Sequence, residues 1–282
     1  MIDDKKLKQR DNLLALYFLC DELAWGYNLL VKQILSKYGN GFRPADSSKG
    51  EKGVTFSWEN KIDISFDSQI NFLLRSLIFA GKSTSDQIFH TMAVMRDMIQ
   101  PLHPRSSFPD ASRLKKFAPF VQGFKEGLYD NFNPTIGIKL QSSLEAFIIL
   151  RILRNNIKEF GRANFSLIMG RPNWEFMLTK QNLADKTFPY CSIYTGEIQE
   201  QMALKINLIF FEMVFWASLE MFEILLGLVK NQADLLDFVT GEQVNQLRER
   251  QKQTQEMAAS SNLYPCGHWT PDGAFHMGDF AG

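Results

Sequence analysis

The sequence predicts a mainly α protein, a multi-helix bundle with one or two β-hairpin insertions, and three observations carry that expectation. Long stretches place apolar residues at i, i+3 and i+4, most clearly over residues 5–38, 141–160 and 199–231. Two short stretches switch to a period of two, the spacing of a strand. No solenoid-length repeat occurs, and no linker longer than about 15 residues precedes the last turn-rich stretch. Residues 1–256 therefore read as a single helical domain, with hairpin insertions near 53–67 and 164–178, and residues 257–282 as a C-terminal tail.

The first helix, 5–38, keeps its rhythm through Leu13, Leu16, Tyr17, Cys20, Leu23, Ala24, Tyr27, Leu30 and Ile34, and Gly39-Asn40-Gly41 ends it. A loop follows to residue 53. Val54, Phe56 and Trp58 then alternate with polar residues, Glu59-Asn60-Lys61 turns, and Ile62, Ile64 and Phe66 alternate again, which predicts a hairpin. Two helices are expected at 68–80 and 85–100. Ser83-Thr84-Ser85 or Asp86 would cap the second, and Pro101 would stop it. A helix over 111–131 is interrupted at Pro119, and Asn133-Pro134 marks another break.

Residues 141–160 form a nearly all-apolar helix through Leu144, Phe147, Ile148, Leu150, Ile152, Leu153 and Ile157. The extended stretches 165–169 and 174–178, joined by Gly170-Arg171-Pro172-Asn173, predict the second hairpin. A long helix at 199–231 and a polar one near 233–256 complete the domain. The long one could pass for a membrane span, but it carries Glu212, Glu220 and Glu223. At about 100° per residue these fall within about 80° of one another, the pattern of a core helix with one narrow wet face.

Composition narrows the function classes. Lys+Arg 31 balances Asp+Glu 31, so nothing in net charge argues for a dedicated nucleic-acid binder. The 24 Phe and 11 Met call for a large soft core or a large interface. Three widely spaced cysteines, Cys20, Cys191 and Cys266, form no disulfide framework. The charged start, Met1-Ile2-Asp3-Asp4-Lys5-Lys6, is unlike a secretory signal. The expectation is a cytoplasmic protein with no membrane association.

Several residue clusters invite chemistry. Gly81-Lys82-Ser83-Thr84 precedes a helix like the end of a phosphate-binding loop, but position 76 is serine where that loop needs a glycine. The run reads instead as an inter-helix turn with a cap. Cys266, His268 and His276, with Asp279, are acceptable zinc ligands, yet they lack the two close pairs of a structural site. Trp269, Phe275 and Phe280 between them suggest a segment that docks on an apolar groove. Glu145, Glu212, Glu220 and Glu223 lack the neighbouring histidines of a carboxylate-bridged di-iron centre and read as a solvated stripe. No cofactor or metal is expected.

Arg154-Asn155-Asn156-Ile157-Lys158-Glu159, closing an apolar helix, resembles the signature of the HEPN superfamily, helical domains that include many ribonucleases of prokaryotic defence and toxin systems. In that family an arginine steadies the phosphate, and a histidine four to six residues on assists transfer of the RNA 2′-hydroxyl proton at a paired site. Arg154 and Asn155 match, but Glu159 stands where the histidine belongs, so the resemblance implies a non-catalytic relative. Arg96-Asp97 with His103 has the permitted gap, with Pro101 between them, and would be the catalytic pair of a metal-independent ribonuclease. Its alternative is a surface Arg–Asp pair beside a loop histidine.

The functional expectation is a non-catalytic helical interaction protein that associates with another protein or with itself. The competing expectation is a HEPN-like ribonuclease acting on RNA through Arg96 and His103.

Overall fold

A computed structural model describes residues 4–38, 62–63, 68–99, 134–160, 164–168, 171–179, 194–198, 201–229, 239–261, 263, 267–269 and 275–277. The architecture is mainly α. Helix α1 spans Asp4–Tyr38, and a short strand β1, Ile62–Asp63, precedes α2, Ser68–Val94, and the single turn α3, Arg96–Ile99. Helix α4 covers Pro134–Phe160. Strands β2 (Asn164–Ile168), β3 (Arg171–Thr179), β4 (Tyr194–Ile198) and β5 (Gln201–Asn207) lead into α5, Leu208–Val229, and α6, Gly241–Ser260. Strands β6, Gly267–Trp269, and β7, Phe275–Met277, follow.

Helices α1 and α2 run antiparallel. Gln33 Nε2 donates to Gln69 Oε1 at 2.7 Å at one end, and Gln87 Nε2 donates to Asn12 Oδ1 at 2.9 Å near the other. Between them a Cβ built on Gly26 would lie 3.1 Å from Leu77 Cδ2, so the missing side chain lets the helices close up. Lys5 Nζ and Asp97 Oδ2, 2.5 Å apart, tie the start of α1 to α3. Helices α4, α5 and α6 pack on this pair around one core whose largest buried side chains include Trp174, Tyr27, Phe89, Phe147, Phe215 and Phe222.

Where two helices were expected, at 68–80 and 85–100, α2 runs unbroken through Gly81-Lys82-Ser83-Thr84. The hydroxyls do not cap a new helix, because each turns back on the chain: Thr84 Oγ1 donates to the Ala80 carbonyl and Ser85 Oγ to the Lys82 carbonyl, both at 2.8 Å. Gly81 has a packing role, since its added Cβ would meet Leu150 at 3.0 Å and Val214 at 3.2 Å, where α2, α4 and α5 converge. Helix α4 likewise starts at Pro134, not Gln141. Proline suits a first helical turn, where its missing N–H has no carbonyl partner to lose.

The largest correction concerns 199–231. Residues 201–207 are strand, and the helix begins only at Leu208. Met202, Leu204 and Ile206 alternate with the smaller or polar Gln201, Ala203, Lys205 and Asn207, a period-two signal hidden by the helical spacing that follows it. Asn207 makes the switch, its Oδ1 accepting from the Phe210 N–H at 3.4 Å as an N-cap.

The extended stretches are not isolated insertions either. Strands β2 and β3 pair antiparallel inside a five-stranded sheet of order β1-β2-β3-β5-β4, which recruits Tyr194–Ile198 and Gln201–Asn207. The first expected hairpin, 53–67, lies outside the described residues except for Ile62–Asp63, whose partner is β2. Trp174 of β3 packs edge-on against Phe211 of α5, ring centroids 6.0 Å apart, and joins sheet to helices.

Helix α6 opens later than 233, at Gly241, because Thr240 forms a capping box. The Gln243 N–H donates to Thr240 Oγ1 at 3.2 Å, and the Thr240 N–H donates to Gln243 Oε1 at 2.8 Å. It also runs on to Ser260, past the expected end. The interrupted helix expected over 111–131 lies outside the described residues.

Candidate functional site

The side of the α1–α2 pair away from the core carries an aromatic surface. Phe18 is 54% exposed, Trp25 59% and Phe72 67%, and Phe79 is also exposed. On α1, Phe18 and Trp25 are seven residues apart and so share a face; on α2, Phe72 and Phe79 do the same. At one end of this surface Leu29, Gln33, Ser68, Gln69, Phe72 and Leu73 line an open groove of about 370 Å³. Exposed large aromatics clustered beside a groove are the common composition of a binding surface, since each desolvates much area when covered. Phe18 and Trp25 lie off the core stripe of the first helix in the sequence, and that displacement was the available signal.

A second unusual place lies inside. Glu212 is 1% exposed and not on a wet stripe, which corrects the expectation for this residue; Glu220 and Glu223 are half-buried. Glu212 Oε1 accepts a short hydrogen bond from the Tyr27 hydroxyl, and Oε2 accepts from Gln255 Nε2 at 2.9 Å. The three side chains join α1, α5 and α6. Burial pushes the Glu212 carboxyl up to about 7, although both hydrogen bonds favour its charged form. Burial, reinforced by the neighbouring carboxylate, holds the Tyr27 hydroxyl well above its ordinary value, so it remains a donor. One turn before Gln255, Gln251 is fully buried and its side-chain amide finds no hydrogen-bond partner among the described residues. The outer carboxylates are ion-paired, Glu220 with Lys139 and Glu223 with Arg248, whose Nε donates to Glu223 Oε1 at 2.8 Å.

A third cluster lies between α2 and α4. Lys82 is only 8% exposed and is ion-paired with Asp86 one turn on. Burial depresses its ammonium pKa, and Arg151 and Arg154 depress it further from α4, while Asp86 opposes both. Arg154 Nη1 donates to Asn155 Oδ1 at 3.3 Å. Arg154, Asn155 and Glu159 all fall on the closing turns of α4, with Glu159 described by its backbone alone. A spacing of five residues puts Glu159 about 140° around the helix from Arg154.

Arg96 is not part of that cluster. It opens α3 at the far end of α2, 14 residues beyond Lys82 and so about 20 Å along the axis. Its neighbour Asp97 pairs with Lys5, and this ion pair holds the carboxyl below its ordinary value. His103 lies outside the described residues. Cys266 and Phe280 do too, while strands β6 and β7 place His268 opposite His276 and Trp269 opposite Phe275 in register. Among the described residues no group of three or more His, Cys, Asp or Glu side chains could hold a metal ion. Nor, among them, is any helix long and apolar enough to cross a membrane.

No protein-family description, no curated protein and no solved structure matches the chain.

Proposed function

We propose that this is a non-catalytic, cytoplasmic helical interaction protein whose docking surface is the aromatic side of the α1–α2 pair. One observation carries the reading: Phe18, Trp25 and Phe72 are each more than half exposed and lie on one side of two helices whose other faces are filled with core. Aromatic anchors beside a groove, ringed by polar residues such as Gln33 and Gln69, match the anatomy of binding hot spots. The three dispersed cysteines and the balanced charge support an intracellular setting.

Site-specific photo-crosslinking in cells tests the reading. A photoreactive residue at position 25 or 72 should give a discrete protein adduct, one at the exposed Lys252 of α6 should not, and Phe72→Ser should suppress the position-25 adduct. Absence of any adduct from either aromatic position would remove the reading.

A second reading, a HEPN-like metal-independent ribonuclease, rests on the spacing of Arg96-Asp97 and His103, its catalytic pair, and not on the α2–α4 corner. It predicts RNA fragments with 2′,3′-cyclic phosphate ends in the presence of a chelator, lost on His103→Ala. Intact RNA after incubation with the wild-type chain would exclude it.

A further inference from the structure

We infer that the occupant of the aromatic face is a second copy of this chain, laid antiparallel, α1 against α1, across a two-fold axis. The inference rests on the interaction reading above and names its partner. Four exposed residues of α1 recur at seven-residue intervals: Asp11, Phe18, Trp25 and Lys32. Seven residues fall about 20° short of two full turns, so the four make one gently winding stripe about 32 Å long.

The stripe reads acid, aromatic, aromatic, base, and it is its own complement when reversed. Antiparallel superposition about its midpoint sets Asp11 opposite Lys32 of the second copy and Phe18 opposite Trp25 of the second copy. Each pairing occurs twice, because a two-fold interface is isologous. The half-exposed Leu14 and Leu29 exchange in the same register. A parallel arrangement in register would instead set Asp11 on Asp11 and Lys32 on Lys32, which like-charge repulsion disfavours.

The flanks agree with this. Asp21 and Glu22 straddle the midpoint, where two carboxylates would meet two more; Arg250 of α6, ion-paired with Asp21, brings a cation to that place. Asp11 also touches Arg10, 3.1 Å away, but its side chain is 64% exposed and free to accept a second cation. On α2, Gly26 packing on Leu77 puts the midpoint level near Ala80, next to exposed Phe79. Two helices over about 32 Å cover on the order of 600 Å² per copy, the lower range of specific interfaces, so the dimer should be reversible.

Charge-swap variants of the full chain, measured by sedimentation and light scattering, test this. The wild type should reach twice 32.4 kDa in the micromolar range. Asp11→Lys and Lys32→Asp should each weaken association about tenfold, by turning two attractions into two repulsions. Mixing the two variants should restore a dimer, and so should combining both changes in one chain. A Trp25→Ser variant should be monomeric, with the thermal midpoint of the wild type at dilutions where both are monomers.

A wild type that stays monomeric up to about 1 mM, swaps without effect, or a mixture that fails to restore association would each overturn the two-fold arrangement. A monomer that nonetheless gives a position-25 adduct with a different protein overturns the self-association alone. A monomer with no adduct overturns the interaction reading as well.

Discussion

Tyr27 and Trp25 stand two residues apart on α1 and about 160° apart around it. The sides they mark depart from polar-outside, apolar-inside in opposite senses. On the Tyr27 side, a buried hydroxyl and a buried carboxyl meet, and the part-buried Gln255 amide reaches the same carboxyl. On the Trp25 side, aromatic rings face water. The inner departure is tolerable because its members satisfy one another: Tyr27 and Gln255 both donate to Glu212, and Glu212 can hold a proton near neutrality. The outer departure has no such compensation among the described residues, and under the proposed reading a second surface would cover it. The difference separates a polar group satisfied inside the fold from apolar groups that the core leaves exposed.

The largest test of the inner side is pH. The Glu212 carboxyl sits at about 7 in the fold against 4.5 as its ordinary value, so the native state holds more protons than the unfolded chain between those values. Stability from this group is fully present below about pH 4.5 and is lost as pH rises through 7, by about 3 kcal/mol in all. Glu212→Gln keeps an acceptor for Tyr27 and should flatten that part of the curve and raise stability at pH 8. Denaturant unfolding of both chains from pH 5 to 8 measures it, and parallel curves would contradict the buried carboxyl.

Tyr27→Phe comes next. Removing the hydroxyl strips a donor from a buried carboxylate and should cost about 2 kcal/mol at pH 8. At pH 5, where Glu212 carries its own proton, the loss should be smaller. An equal loss at both values would mean that ring packing, not the hydrogen bond, holds Tyr27 in place.

Asn28→Ala should cost about 1 kcal/mol, since Asn28 Nδ2 donates to Thr254 Oγ1 at 2.7 Å where α1 meets α6. Trp25→Ser should be the mildest, changing stability by no more than about 0.5 kcal/mol in dilute monomer while removing association. A large stability loss there would assign Trp25 to the core and erase the contrast between the two faces.

Much of the fold was legible in sequence, because burial on one helix face imposes a local period. The core residues of α1 from Leu13 to Ile34 are those its apolar spacing named, apart from Val31, which it missed, and Tyr17, which is only partly buried. The nearly all-apolar character of 144–153, broken only by Glu145 and Arg151, was equally readable. What misled were residues whose local chemistry has two outcomes. Ser, Thr and Gly at 81–85 can cap a helix or hydrogen-bond back within one, and convergence with Leu150 and Val214 selected the latter. Residues 201–207 fit either period, and pairing with β3 made them a strand. For the candidate sites, Arg154 and Asn155 were identified from a motif, but Lys82, 72 residues before Arg154, lies beyond the reach of any spacing rule.

By itself, then, the sequence determined the mainly α class, most of the inner stripe of α1 and the presence of α4 and α5 though not where they start, since each follows from apolar periodicity within one segment. Tertiary structure decided which apparent surface residues were not surface, and which apolar residues the core left out. Glu212 shares a wheel position with Glu220 and Glu223, but only at Glu212 do Tyr27 and Gln255 close over the carboxylate. Phe18 and Trp25 are as apolar as their buried neighbours, and they are exposed because α2, α5 and α6 pack on the other sides of α1. Burial is a property of what arrives from elsewhere in the chain, and a helix cannot encode its neighbours in its own period.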